Sequence, residues 1–112
     1  MPYLHVHTNV EIGDADGLLK ELSGLTAEAL GKPEGYVMVH VSDRQPMLFA
    51  GSAAPLAFAE LKSLGLGSSQ TAALSARICD LLQMRLAIDP ARIYIEFAAP
   101  ERAMWGWDRG TF

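Results

Sequence analysis

The residue with the clearest chemical potential is Pro2, which directly follows Met1 in the opening stretch MPYLHVHTN. Methionine aminopeptidases remove a methionine that precedes proline, and the product is a chain that starts with a secondary amine. An α-amino group has a pKa of about 7.7–8.0, and an apolar pocket beside a lysine lowers that value. The neutral amine is then a competent general base for a proton next to a carbonyl group. The alternative is structural, because proline is tolerated as the first residue of a strand, and the residues alone favour this alternative.

Three histidines are candidate metal ligands. His5 and His7 lie two residues apart on one face of a predicted strand, and His40 lies on another predicted strand. A zinc site needs three or four ligands in a defined geometry, and no Cys, Asp or Glu stands at metal-site spacing from these histidines. The sequence therefore predicts surface or hydrogen-bonded histidines and no metal site.

Two segments have residue types that suit an anion. Residues 65–69 (GLGSS) precede a predicted helix, where backbone N–H groups and the helix dipole favour a small carboxylate. The pattern matches neither the dinucleotide fingerprint nor the P-loop, so spacing alone favours a glycine turn with a serine N-cap. Lys32 lies in the last turn of the first predicted helix, where a cation complements the helix dipole.

Composition limits the class of protein. The chain has 112 residues, which is enough for one domain (residues 1–112) with one hydrophobic core. A net charge of −4 without a basic cluster argues against a nucleic-acid partner, and the absence of a long apolar run argues against a membrane partner. The one cysteine, Cys79, excludes an internal disulfide. Because no signal-peptide pattern opens the chain, we expect a cytoplasmic location or release by a route that needs no signal peptide.

Period-two alternation predicts the strands. Residues 3–7 alternate, so that Leu4 and Val6 share one face. The same pattern predicts two further strands at residues 36–41 and 93–97. Two shorter strands or extended segments are predicted at residues 47–51 and 57–64.

Apolar residues at spacings of three and four predict two helices. The first begins after Asp14 as N-cap and ends at Gly31, and the second ends before Asp89-Pro90. Their apolar stripes are Leu18, Leu22, Leu25 and Ala29 in the first helix, and Leu74, Ile78, Leu82 and Leu86 in the second.

The two halves of the chain echo each other. Pro33 and Pro90 each end a helix and precede a strand by three residues. The helix-ending residues of an ordinary α+β fold can also produce this similarity by chance. The echo predicts an α+β fold of duplicated β-α-β units, with a four-stranded sheet and two helices on one face. A symmetric oligomer is expected to cover the other face. That face would otherwise expose large side chains to water: Tyr3, Tyr36, Met38 and Tyr94.

The motifs of the whole chain, taken in order, resemble the macrophage migration inhibitory factor and D-dopachrome tautomerase family, within the tautomerase superfamily. The resemblance implies that the duplicated β-α-β fold assembles as a homotrimer with active sites at the subunit interfaces. The motifs that carry the resemblance are MP at the start, TNV at 8–10, ELS at 21–23, GKP at 31–33, VHV at 39–41, FAGS at 49–52, LKSLG at 61–65, RIYIEF at 92–97, and WGW with TF in 105–112.

The resemblance implies a keto–enol tautomerase for aromatic 2-keto acids such as phenylpyruvate, and in many members for D-dopachrome methyl ester. Pro2 would be the catalytic base, and Lys32 would bind the substrate carboxylate with help from the backbone N–H of Leu64. The family mechanism uses no metal and no cofactor. The aromatic walls of the pocket would be Tyr36, Trp107, Phe112 and, from a neighbouring subunit, Tyr94.

The sequence departs from the family's cytokine members at several positions. Residues 56–59 (LAFA) replace a Cys-Ala-Leu-Cys segment, so thiol–disulfide activity is not implied, and Lys62 replaces a histidine. Glu96 replaces an asparagine, and Trp105 replaces a small aliphatic residue. If Glu96 lies close to the site, its charge would favour protonated Pro2 and repel a substrate carboxylate, and Trp105 would narrow the pocket mouth.

These features predict a working tautomerase that is slower than the cytokine members on the usual aromatic keto acids. The alternative function is that of a cytokine-like signalling or binding protein with weak or vestigial tautomerase activity. The residues do not identify a receptor for that second function.

Overall fold

Two helices pack on one face of a four-stranded sheet in the computed structural model, which describes residues 1–112. Along the sheet the strand order is β2-β1-β3-β4. β1 runs parallel to β2 and antiparallel to β3, and β3 runs parallel to β4. Two parallel β-α-β units therefore meet at the β1–β3 pair, which confirms the predicted duplicated architecture. The elements are β1 (Tyr3–Thr8), α1 (Ala15–Leu30), β2 (Met38–Ser42), β3 (Ala57–Lys62), α2 (Ser68–Leu86) and β4 (Ile93–Ala98).

The core lies between the helices and the inner face of the sheet. β1 alternates as the sequence predicts, because Leu4 and Val6 point inward while His5 and His7 point to the open face. Burial of each large aliphatic side chain stabilises the fold by about 1.5–3 kcal/mol. The fully buried members of this core include Leu4, Val6, Leu18, Leu22, Leu61, Ile78, Leu82 and Ile88.

The ends of α1 match the predicted caps. The Gly17 N–H donates to the Asp14 carboxylate at 3.0 Å, which satisfies a backbone group that the first helical turn leaves free. Gly31 ends the helix with φ of 63°, a left-handed conformation that favours glycine. This turn directs Lys32 toward the loop after β3. No helix of the chain has both the length and the apolar composition needed to cross a membrane.

The structure corrects two predicted strands. Glu34–Tyr36 forms a 3₁₀ turn, so β2 begins at Met38, where the backbone N–H donates to the Pro2 carbonyl at 3.0 Å. Residues 47–51 form no strand, and only an isolated bridge joins Phe49 to Ser52. The cause is a tight turn, in which Ala50 and Gly51 both have positive φ.

Smaller differences from the sequence-based expectations lie at strand ends and in the C-terminal residues. β3 ends at Lys62, two residues before the end of the predicted segment, and β4 extends to Ala98. The C-terminal residues form a hairpin of two short strands, β5 (Gly106–Trp107) and β6 (Gly110–Thr111), which the sequence did not predict.

Candidate active site

A cavity of about 520 Å³ opens beside the start of β1. Its size falls within the range of small-molecule sites, and eight of its eleven lining residues are hydrophobic. It forms where the N-terminus, the 3₁₀ turn before β2 and the C-terminal hairpin meet. Five of the residues predicted for the site line this cavity together: Pro2, Tyr36, Trp105, Trp107 and Phe112.

The C-terminal hairpin builds the aromatic wall of the cavity. Asp108 and Arg109 adopt φ of 48° and 68°, as a two-residue hairpin turn of this type requires. The resulting pairing stacks the Trp107 and Phe112 rings at 5.3 Å between centroids and 9° between planes. Tyr36 meets Trp107 edge-on at 6.1 Å. These rings offer a flat apolar surface to an aromatic ligand.

Pro2 is one of the residues that line the cavity. It is fully buried, and its carbonyl accepts the hydrogen bond from Met38 that begins the β1–β2 ladder. Met1 also lines the cavity, so its removal enlarges the space and leaves the amine of Pro2 at the chain end.

The electrostatic environment of the N-terminus favours a neutral amine. The pKa of the Met1 amine lies below its ordinary value, first because of burial and then because of the positive charges of Lys32 and Arg102. Both effects disfavour the ammonium form. The same positive charges favour an anionic ligand at this end of the cavity.

Lys32 and Leu64 lie together beside the N-terminus without lining the cavity itself. Lys32 Nζ donates to the Leu64 carbonyl at 3.2 Å. The Leu64 N–H donates no hydrogen bond within the chain, and Leu64 as a residue is buried. An ammonium group and a free backbone N–H therefore occupy neighbouring positions, which suits a carboxylate.

Tyr94 and Glu96 lie away from this cavity within one chain. Both belong to β4, an edge strand that β3 separates from β1. The Tyr94 ring lies 4.7 Å from that of Phe49, and it helps to line another cavity of about 420 Å³, whose lining residues are all hydrophobic. Glu96 is exposed on the open face of the sheet. Only a neighbouring chain could bring either side chain to Pro2.

The open face of the sheet carries a cluster that sequence spacing did not reveal. His40, His5, Glu60 and Glu96 are successive register partners and form one row across the four strands. Glu60 Oε2 lies 3.0 Å from His7 Nε2 and 3.9 Å from His5 Nδ1. Sequence spacing predicted no carboxylate ligand beside these histidines, and the structure adds Glu60 to them. Glu60 is 53 residues from His7 along the chain, and only the antiparallel β1–β3 pairing brings the two together.

The charge states within this cluster follow from its packing. Burial lowers the pKa of His5, and the neighbouring His7 and His40 lower it further, whereas Glu60 opposes them. The hydrogen bond that His7 donates lowers the pKa of Glu60. His5 is therefore neutral and Glu60 is a carboxylate at neutral pH.

Comparison with known proteins agrees with this fold. Residues 1–112 match the family model described as macrophage migration inhibitory factor (MIF). The macrophage migration inhibitory factor of Meriones unguiculatus is 43% identical, and the alignment covers 100% of this chain and 99% of the relative. The crystal structure of a homologue from Prochlorococcus marinus matches with a TM-score of 0.95 at 39% identity, over 98% of each chain. The structure of the Trichinella spiralis protein gives 0.93 at 34% identity, over 98% of this chain and 99% of that one. The predicted resemblance is confirmed, and the chain belongs to the macrophage migration inhibitory factor family.

Proposed function

We propose that this protein is a keto–enol tautomerase for aromatic 2-keto acids such as phenylpyruvate, with Pro2 as the general base after Met1 is removed. The observation that carries the proposal is the meeting of a buried proline at the chain start, an aromatic wall and a cationic environment at one cavity. Each of the three matches one part of such a substrate: the acidic C–H bond, the aryl ring and the carboxylate.

The proposed reaction moves one proton within the substrate. The neutral amine of Pro2 removes a proton from the carbon next to the keto group, and the C–H electron pair forms the carbon–carbon double bond of the enol. The carbonyl π electrons move to oxygen, which then takes the proton back from the Pro2 ammonium. The atoms and electrons balance without an oxidant or reductant, because the product is an isomer of the substrate.

The remaining residues bind and orient the substrate. Lys32 and the free N–H of Leu64 would hold the carboxylate, and Tyr36, Trp107 and Phe112 would contact the aryl ring. A substrate held at both ends presents its acidic carbon to the amine. Holding the reacting groups in this orientation lowers the entropic cost of the proton transfer. Trp105 at the same cavity limits the size of the aryl group.

We also infer that the active site is completed in a homotrimer. Large apolar side chains cluster near the β4 edge, where Tyr94 is 65% exposed and Leu48 is 70% exposed. The β2 edge, beside the cavity, exposes Met38 by 65%. Contact between the β4 edge of one chain and the cavity of the next would bury these groups and bring Tyr94 and Glu96 toward Pro2. Sedimentation equilibrium should give three chain masses, and a monomer would contradict the inference.

The decisive experiment combines mass spectrometry with steady-state kinetics. The purified protein should lack Met1, and Pro2→Gly should lower kcat/KM for phenylpyruvate by at least about 100-fold, because general base catalysis contributes about 10²–10⁴-fold. Pro46→Gly is the matched control, since Pro46 is exposed in a loop outside the cavity. A Pro2→Gly variant as active as wild type would remove Pro2 from the mechanism.

The relatives named macrophage migration inhibitory factor favour a second candidate, a signalling or binding protein in which the chemistry is secondary. The two functions differ in whether the protein catalyses the tautomerisation of the substrate that it binds. If the mature protein, with Pro2 at its N-terminus, binds phenylpyruvate in an NMR titration but does not speed its tautomerisation, the binding function is supported instead.

A further inference from the structure

We propose that His5, His7 and Glu60 bind a divalent first-row transition metal, and that Zn²⁺ is the occupant which these residues fit best. One donor atom from each residue lies within 4.8 Å of the other two. Two imidazoles and one carboxylate form a common ligand set for Zn²⁺ and for related ions. None of the three residues lines the cavity beside Pro2, so the site is separate and does not rest on the proposed tautomerase activity.

The two distances from the Glu60 carboxylate are close to those in a zinc site. Zinc bonds of about 2.0–2.1 Å in a tetrahedron place neighbouring donor atoms about 3.3 Å apart. The Glu60 Oε2 atom lies 3.0 Å from His7 Nε2 and 3.9 Å from His5 Nδ1. One of these distances is shorter and the other longer than the donor–donor separation in a zinc site. Without metal, His7 Nε2 donates its proton to Glu60, so the ion would take the place of that proton. The fourth position is left for water, because the side chains of all three ligand residues are partly exposed.

The surroundings orient the first histidine as a ligand. His5 Nε2 lies 2.8 Å from the Ser42 hydroxyl, and donation to Ser42 leaves the lone pair on Nδ1, the atom nearer to Glu60. Metal-binding histidines usually donate their second ring N–H to such a partner. The His5 ring is also held between His40 and His7, with centroid separations of 3.9 and 3.7 Å.

The ligands stand on paired strands. His5 and His7 share a face because they are two residues apart on β1, and Glu60 is the register partner of His5 on β3. Sheet positions hold side chains more precisely than loops do. The carboxylate of Glu96 adjoins Glu60 in the same row and adds to the negative potential that attracts a cation, while Lys62 on β3 opposes it.

The test is a titration of the full-length protein with Zn²⁺ by calorimetry at neutral pH in a buffer that does not chelate metals. We expect one ion per chain, and a tetrahedral ligand-field spectrum when Co²⁺ replaces Zn²⁺. His7→Ala and Glu60→Ala should each weaken Zn²⁺ binding by at least about tenfold, since even the partners that orient metal ligands are worth about 10–100-fold.

Two variants in the same row serve as matched controls. Glu96→Gln removes a neighbouring carboxylate, and His40→Phe removes ring nitrogens while keeping a ring against His5. His40→Phe should bind Zn²⁺ with an affinity close to that of wild type, and Glu96→Gln should lose less affinity than either ligand variant. Controls that lose as much affinity as the ligand variants would show a different donor set and overturn the proposal.

A measurement on the wild-type protein guards against variants that fail to fold. Co²⁺ should shift the NMR signals of the His5 and His7 imidazoles strongly and those of other side chains by less. If neither ion binds, or if Co²⁺ binds without shifting these two imidazoles, the cluster is only a set of hydrogen bonds that ties β1 to β3.

Discussion

Replacing Glu96 with glutamine tests whether the proposed site is built between chains. The change removes one negative charge and keeps the shape of the side chain. In one chain, Glu96 is exposed on β4 and lies outside the cavity that contains Pro2. In the proposed trimer, a neighbour would bring the carboxylate to the amine.

The structure gives the magnitude expected within one chain. Glu96 is in register with Glu60, Glu60 is in register with His5, and Pro2 precedes His5 by three residues. Two strand spacings of about 4.8 Å and three residue steps of about 3.3 Å place Glu96 about 14 Å from Pro2. With a Debye length of about 8 Å, the interaction free energy in water is below about 0.1 kcal/mol. Such a charge would not measurably change the pKa of the Pro2 amine.

An interface contact gives a different magnitude. A carboxylate about 6 Å from the amine, at an effective dielectric constant of about 20, stabilises the ammonium by about 3 kcal/mol, or about two pKa units. We therefore expect Glu96→Gln to lower the pKa of the Pro2 amine by about one to two units. More amine is then neutral at a given pH below the wild-type pKa, so kcat/KM for phenylpyruvate rises there.

The assay is the pH dependence of kcat/KM for phenylpyruvate, in which the acidic limb should move to lower pH. Glu28→Gln is the matched control, because it removes the same charge on α1, where Glu28 pairs with Arg77 at 3.4 Å. An unchanged or reduced rate in Glu96→Gln, with the limb unmoved, would refute both the charge argument and the proposed placement of β4 beside a neighbouring cavity.

Three further predictions concern charge, capping and packing. Lys32→Met should raise the pKa of the N-terminal amine, because a positive charge that lowers this pKa is lost. The acidic limb of the pH–rate profile then moves to higher pH. An unmoved limb would show that the charge of Lys32 does not affect the amine. Asp14→Ala should lower the free energy of unfolding in urea by about 1 kcal/mol through loss of the helix cap, whereas the control Asp16→Ala keeps the cap; equal losses would contradict the assignment. Leu22→Ala should cost about 2–5 kcal/mol in the same assay, because Leu22 is fully buried between α1 and the sheet, and a loss below about 1 kcal/mol would show that the core collapses around it.

Local patterns were enough to predict most of the secondary structure. Period-two alternation in residues 3–7 and the stripes of the two helices were read correctly, since the side-chain directions of strands and helices follow from backbone geometry alone. The predicted caps at Asp14 and Gly31 are confirmed as well, because a cap depends on only a few neighbouring residues.

Local patterns failed where packing or turn geometry overrode them. Residues 47–51 have an apolar composition typical of a strand, but Ala50 and Gly51 adopt positive φ and fold the segment into a turn. The hairpin at residues 106–111 was not predicted, since its turn residues, Asp108 and Arg109, are not the Asn-Gly or Asp-Gly pair typical of such turns.

The sequence by itself determined the α+β class, the duplicated units and the family. Through the family's motifs it also made Pro2 and Lys32 candidate site residues. Only the tertiary structure decided which distant residues meet. It brought Tyr36, Trp107 and Phe112 to Pro2, and it placed Glu60 against His5 and His7. The physical reason is that amphipathic periodicity is local. Strand register, by contrast, depends on packing and loop closure across more than fifty residues, which no short pattern encodes.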